Sequence, residues 1–421
     1  MASLQAGTFG ATAVQGLAGI IIARLLQPQL FGVYSLAMSL ASLIVIIVGF
    51  GLQDAVTTIV GETYAKEDRQ GTHDAMMFLA KMSILVGVLS VGAYFVAPYI
   101  SLALYHDQAI GFYASIIVFA AFISGTFFTF STLGLQVAGK IKQMSMLGFV
   151  DQTIRSGLSL LLVFIGFGIF GAMIGHFIGA IVVFFISVVV WRQLRRSSPI
   201  FPSLRQFKDN FWRANLGKYF SFSAWIALDK NIASLYSILP ILMIGLYASS
   251  SDVSYFKISF AYVNLALSLM APISTLLNAE FPKMRVSESN DLRRNFLKVS
   301  LYSLALSTAL TAVAIAVSPV ALRILYGQSF LPGLKYVFGL FIYGAFIGIG
   351  VGLGPMWRAI DKVKISIVIN IVTLAIGIPG GLWLIANYGV WGAVVMVSAW
   401  FTISHLVSFF YLLAKIPARR I

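Results

Sequence analysis

The side chains best placed to do chemistry in this chain are charges set inside long apolar stretches. Asp151 and Arg155 are four residues apart, which puts them on one helical face where they can pair. Asp229 and Lys230 are neighbours about eleven residues into an apolar stretch, and neighbours diverge by about 100° around a helix, so they do not neutralise each other. Arg24 and Lys257 are also embedded, each toward one end of its stretch, and the stem of Lys81 lets its ammonium snorkel to water. A charge at a bilayer centre costs about 2.5–3.5 kcal/mol on insertion scales. The excess of base over acid suits an anionic ligand, which guanidinium and ammonium groups bind strongly. Arg24, Arg155, Lys230 and Lys257 are therefore the candidate substrate-binding residues. Asp151 and Asp229 either carry a coupling H+ or Na+ or hold their basic neighbours by charge pairing. The competing reading is internal ion pairing that fixes helix packing.

Other chemistry is poorly represented. The chain has no Cys, which excludes disulfides, thiolate metal sites and Cys nucleophiles. His176 and His405 stand alone without metal-ligand spacing, so no metal or cofactor is expected; packed histidines are the simpler reading, with a proton relay still open. The Gly350-Val351-Gly352-Leu353-Gly354 run lacks the strand and βαβ context of a nucleotide site, and no GxxxxGK[ST] phosphate loop occurs. No large extramembrane catalytic loop is present, so a non-enzyme is expected.

These charges must be positioned by membrane helices. Of the 421 residues 59% are hydrophobic and 10% charged, against about 25% charged in soluble domains. Twelve apolar segments follow at 7–26, 32–51, 75–98, 112–137, 146–166, 169–191, 219–247, 254–277, 294–318, 336–354, 363–386 and 390–414. Met1 to Gly10 lacks a basic n-region, so no cleavable signal peptide is expected there. The loops after even-numbered segments, counted with the first five residues of the segment that follows, and the C-terminus hold 22 of the 29 Lys and Arg residues, which assigns that side and both termini to the cytoplasm. The net charge of +15 is thus a topological signal, not a sign of nucleic-acid binding. Pro240, Pro272 and Pro379 are expected to bend segments 7, 8 and 11, and Gly344, Gly348 and Gly352 form a small-residue stripe on segment 10.

The basic stretch 192–218 divides the chain into an N-terminal bundle, 1–191, and a C-terminal bundle, 219–421, of six helices each. The halves are related. Gly139-Lys140-Ile141-Lys142 matches Asp361-Lys362-Val363-Lys364, and Gly168-Ile169-Phe170-Gly171-Ala172 matches Gly389-Val390-Trp391-Gly392-Ala393, at offsets of 222 and 221. Tyr34-Ser35-Leu36-Ala37 faces Tyr255-Phe256-Lys257-Ile258 more weakly at 221. An even helix count per half makes the repeats parallel. The expected fold is an all-α integral membrane protein of about 12 helices, in two parallel six-helix bundles around a central cleft.

Ala23-Arg24-Leu25-Leu26-Gln27-Pro28-Gln29-Leu30-Phe31-Gly32-Val33-Tyr34-Ser35-Leu36-Ala37 resembles the first hairpin of the polysaccharide-export flippases of the multidrug/oligosaccharidyl-lipid/polysaccharide exporter superfamily. The family pattern reads Arg-Leu-Leu-Gly-Pro there, so Gln27 stands where Gly is usual; Gly51-Leu52-Gln53 and the Gly139-Lys140-x-Lys142 turn also fit. The resemblance implies flipping of polyprenyl-pyrophosphate-linked oligosaccharide across the cytoplasmic membrane. Its implied partners are that lipid-linked oligosaccharide, membrane lipids, a coupling H+ or Na+, and polysaccharide-assembly proteins. A drug or organic-cation exporter and a peptidoglycan-precursor flippase of the same superfamily are the alternatives.

Overall fold

The computed structural model describes residues 2–49, 53–203, 206, 217–286 and 292–416. Of the sequence features above, Gly51, Leu52 and most of the basic linker, including Arg205, Lys208, Asp209 and Arg213, lie outside the described residues, as do Arg419 and Arg420. The helices are α1 (Ala2–Gly49), α2 (Gln53–Ala65), α3 (Arg69–Tyr105), α4 (Gln108–Val137), α5 (Ile141–Leu162) and α6 (Gly168–Ser197). After the linker come α7 (Gly217–Tyr247), α8 (Ser250–Leu267), α9 (Ala271–Val286) and α10 (Leu292–Leu325). The last five are α11 (Leu334–Gly339), α12 (Phe341–Gly350), α13 (Leu353–Ala359), α14 (Val363–Tyr388) and α15 (Val390–Lys415). The chain forms two compact units, Met1–Asn231 and Ile232–Ile421.

Among the described residues, eight helical stretches are long and apolar enough to cross a membrane, or nine with the bent pair Gln328–Gly339 and Phe341–Ala359. Two of them each hold two of the sequence segments and divide at a break in the backbone. Gly10–Val48 has 39 residues, about 58 Å of helix against about 30 Å of hydrocarbon. It divides where Gln27 leaves helical geometry (φ 61°, ψ 168°) ahead of Pro28. Ile141–Ser197 divides at the π-helical turn Val163–Phe167, with Gly166 at φ 102° and Gly168 at φ 56°. Among the described residues the helices thus follow the twelve sequence segments, with an added helix, α2, between segments 2 and 3, and a 3-10 turn, Ser268–Met270, inside segment 8. Segment 10 is not a single rod: it bends by 55° between α11 and α12. Gly339 at the bend lies against the Trp391 and Val394 side chains, where any side chain of its own would collide.

Helix α10 shows what medium surrounds the fold. Its buried face reads Ser300, Ser303, Ser307, Thr311, Ala314 and Ser318, while Leu301, Leu306, Val313, Val317, Val320 and Ile324 point outward. A water-soluble helix would have the opposite pattern. In lipid, small and hydroxyl-bearing residues allow close approach and interhelical hydrogen bonds, whereas large apolar residues can face the tails. Gly344 and Gly348 of α12 pack directly on Thr311, Ser303 and Ser307, and the Ser307 hydroxyl donates to the Ala345 carbonyl at 2.5 Å.

The repeat is visible in the backbone. Helix α4 ends with Lys140 N–H donating to Leu135 O (2.8 Å) and Gly139 N–H to Gln136 O (3.1 Å). The turn after α13 repeats both bonds, Lys362 to Trp357 (2.9 Å) and Asp361 to Arg358 (3.2 Å). Gly139 (φ 71°) and Asp361 (φ 59°) occupy the left-handed position of the same Schellman turn. Gly168 (φ 56°, ψ −140°) and Gly389 (φ 56°, ψ −135°) are likewise equivalent.

Close approach of α5 and α6 generates a prediction. A Cβ on Gly175 would lie 2.5 Å from the Ser159 backbone, whereas one on Gly157 meets nothing within 4 Å. Gly175→Ala should lower the thermal unfolding midpoint in detergent, at a cost of about 1–3 kcal/mol. Gly157→Ala should leave it unchanged or raise it.

Candidate functional site

Asp151 and Arg155 meet as the i,i+4 spacing requires. Arg155 Nη2 and Nε lie 2.5 and 2.6 Å from the same Asp151 oxygen, and the side chains are 16% and 13% exposed. The pair sits on a polar ladder along the α5–α6 seam. Gln152 Nε2 donates to Ser156 Oγ (2.9 Å), Ser159 Oγ donates to the Ala172 carbonyl (2.8 Å), and His176 Nδ1 is 3.3 Å from Ser159 Oγ. Gly175 and Gly179 make this possible, because the α6 backbone rides on the Ser159 and Arg155 backbone. An ion pair this well buried lasts only while both members remain, since an unpartnered charge there carries its full desolvation cost.

Arg24 lies at an exposed position just before the break in α1. Pro28 has no N–H to give the Arg24 carbonyl, its i−4 partner. Gln27 Nε2 supplies the missing donor at 2.6 Å. Gln27 does so from φ 61°, ψ 168°, a region that essentially only glycine enters without strain. Gln therefore adds a side-chain cap at this break and accepts a strained backbone in doing so.

Lys257 is half-buried on α8 in the second unit and makes no hydrogen bond or ion pair among the described residues. Asp229 and Lys230 belong to α7, but their side chains lie outside the described residues. Of the six sequence-derived site residues, the structure thus brings Asp151 and Arg155 into contact. Among the described residues no three His, Cys, Asp or Glu side chains group to hold a metal.

The second unit contains a neutral polar network that charge-based reading missed. Ser404 Oγ donates to Asn370 Oδ1 (2.7 Å), and Tyr236 Oη lies 3.4 Å from the same oxygen. Tyr343 Oη donates to Asn264 Oδ1 (2.6 Å). Phe401 links the two groups, packing edge-on against both Tyr236 and Tyr343, and also against His405. Asn264 and Asn370 within apolar segments were the available signal, because an amide in hydrocarbon needs a partner.

A family model described as Polysaccharide biosynthesis protein matches residues 21–334. No curated protein matches the chain by sequence. Among solved structures, the chain is similar to an inward-facing multidrug resistance MATE family transporter of the MOP superfamily, at 15% identity, TM-score 0.73 and 96% coverage of both chains. It is also similar to the Lipid II flippase MurJ in an inward closed conformation, at 16% identity and TM-score 0.72, covering 99% of this chain and 88% of that one. A third is a MOP superfamily transporter from Pyrococcus furiosus with a binding pocket of reversed polarity, at 14% identity and TM-score 0.65, covering 99% and 96%. These likenesses show the fold, an all-α multi-pass membrane protein of about twelve transmembrane helices in two bundles.

Two predictions follow from this geometry. Asp151→Ala should destabilise the protein by about 3–5 kcal/mol, and the double replacement Asp151→Leu/Arg155→Met should recover most of that loss, as read by thermal melting. At the α1 break, Gln27→Ala keeps the strained backbone but loses the cap, so it should cost about 1 kcal/mol. Gln27→Gly loses the same bond but removes the strain, and should melt at or above the wild-type temperature.

Proposed function

The chain belongs to the polysaccharide biosynthesis protein family, and on that premise we propose that it is a flippase for polyprenyl-pyrophosphate-linked oligosaccharide. It carries repeat units from the cytoplasmic to the outer leaflet by alternating access. The observation that carries this reading is the overlap of two likenesses. The family match spans residues 21–334, and a transporter fold shared with a flippase extends over nearly the whole chain. The predominance of basic over acidic embedded residues supports an anionic cargo.

In this proposal Arg24, Lys230 and Lys257 bind the pyrophosphate. Arg155 joins them when protonation of Asp151 releases its guanidinium, so that H+ uptake and head-group binding are linked at one ion pair. Asp229 holds or tunes Lys230, and Na+ is the alternative coupling ion. In this reading the basic loops and both termini face the cytoplasm and the protein resides in the cytoplasmic membrane; the loop charge asymmetry supports the orientation. The transported lipid is handed to the proteins that assemble polysaccharide on the far side.

A second reading, export of an organic cation, is favoured by the similarity to multidrug resistance MATE transporters. Reconstitution into proteoliposomes separates the two. Transbilayer movement of a fluorescent polyprenyl-pyrophosphate oligosaccharide should require the protein and fall at least tenfold in Arg24→Ala and Lys230→Ala. Undiminished movement in both variants would sink the proposed site. No lipid movement alongside gradient-driven cation export would move the function to the second reading.

A further inference from the structure

A cavity of about 470 Å³ opens at the basic end of the first unit, lined by Tyr64, Glu67, Arg69, Ser197, Ser198 and Ile200. It belongs to none of the residues assigned above. Tyr64 and Ile200 give the lining its apolar part, and behind it Tyr64 stacks on Phe201 (5.6 Å between centroids), which is buried with Trp191 and Leu194. Its rim is hydroxyl-bearing and carries one base, Arg69. Lys140 reaches from the α4–α5 turn to donate to Ser197 Oγ at 2.5 Å, a bond that uses one of its three N–H groups. Lys66, Arg195 and Arg196 are exposed nearby in sequence, while Glu67 is the one acid in the lining.

Arg69 is the informative residue. It occupies the first position of α3, whose N-cap Asp68 accepts from Gly71 N–H. The N-terminal end of a helix carries partial positive charge and disfavours a cation there. Helix formation gives no reason for arginine at this point, and the helix end is already capped by Asp68; beyond Arg69's place among the basic loop residues, an anion in the cavity would give its guanidinium a partner. The depth also fits. On α6, Phe185 and Val189 are exposed apolar residues, and Ser197 follows Val189 by eight residues, about 12 Å of helix. That sets the cavity just outside the hydrocarbon, at head-group level.

We propose that this cavity is a binding site for the phosphate of an anionic phospholipid headgroup, with Arg69 and Lys140 as its cations and Tyr64 and Ile200 against the glycerol end. The site is independent of the transported cargo.

Native mass spectrometry of the purified full chain, offered phosphatidylglycerol, phosphatidylcholine or inorganic phosphate, tests it. Phosphatidylglycerol should be retained at least fivefold over phosphatidylcholine. Each cation removed, in Arg69→Gln and in Lys140→Gln, should reduce that retention about fivefold. Glu67→Gln removes the opposing charge and should raise it, a gain that misfolding would not produce. Retention unchanged in all three variants would overturn the site. Binding of inorganic phosphate that equals and displaces phosphatidylglycerol would overturn the lipid assignment in favour of a soluble phosphate ligand.

Discussion

Helices surrounded by lipid gain little from packing leucine on leucine, because the tails are as apolar as any core. What holds this fold together is therefore close backbone approach and hydrogen bonding between small polar residues. The α5–α6 seam is built on Gly175 and Gly179 against Ser159 and Arg155, and the α10–α12 seam on Gly344 and Gly348 against a row of serines and Thr311. Cross-helix hydroxyl bonds extend the same principle, from Ser131 to the Ser187 carbonyl and from Tyr262 to the Ala314 carbonyl, both 2.8 Å. The candidate ion pair Asp151–Arg155 sits within one of these seams, so its chemistry and its packing share the same constraint.

Backbone breaks are the second device. Long apolar helices must stop and restart without exposing unpaired amides to hydrocarbon. At Gln27–Pro28 a side chain supplies the donor that proline lacks. At Gly166–Gly168 and Gly389, glycines take up dihedrals closed to other residues. The Schellman turns at Gly139 and Asp361 satisfy helix-end carbonyls in the same way in both halves, although one is glycine and the other is not. The duplicated geometry has outlasted the duplicated sequence.

Much of this was legible beforehand because membrane segments are long and their signal is additive. The twelve segments and the contact between Asp151 and Arg155 depend on local spacing alone. What sequence did not yield depends on contacts between distant residues. The 55° bend in segment 10 arises where Gly339 meets Trp391, more than fifty residues away. The Tyr236–Asn370 contact joins residues 134 apart, and neutral amides attract less notice than charges. Gln27 was visible as a departure from the family's usual glycine, yet its strained dihedral and its bond to Arg24 O emerge only in three dimensions.

Helix α10 carries a practical consequence. Its serine-lined interior relies on the surrounding tails to keep the outward leucines and valines in place. Repainting that outer surface with lysine and glutamate, a common route to water-soluble analogues, would leave a helix polar on every side. In water its buried hydroxyls would find solvent as good a partner as the neighbouring helix, and the bundle would lose its reason to assemble. The lipid is thus a structural component of this fold, and a faithful soluble analogue would need its interior redesigned as well as its exterior.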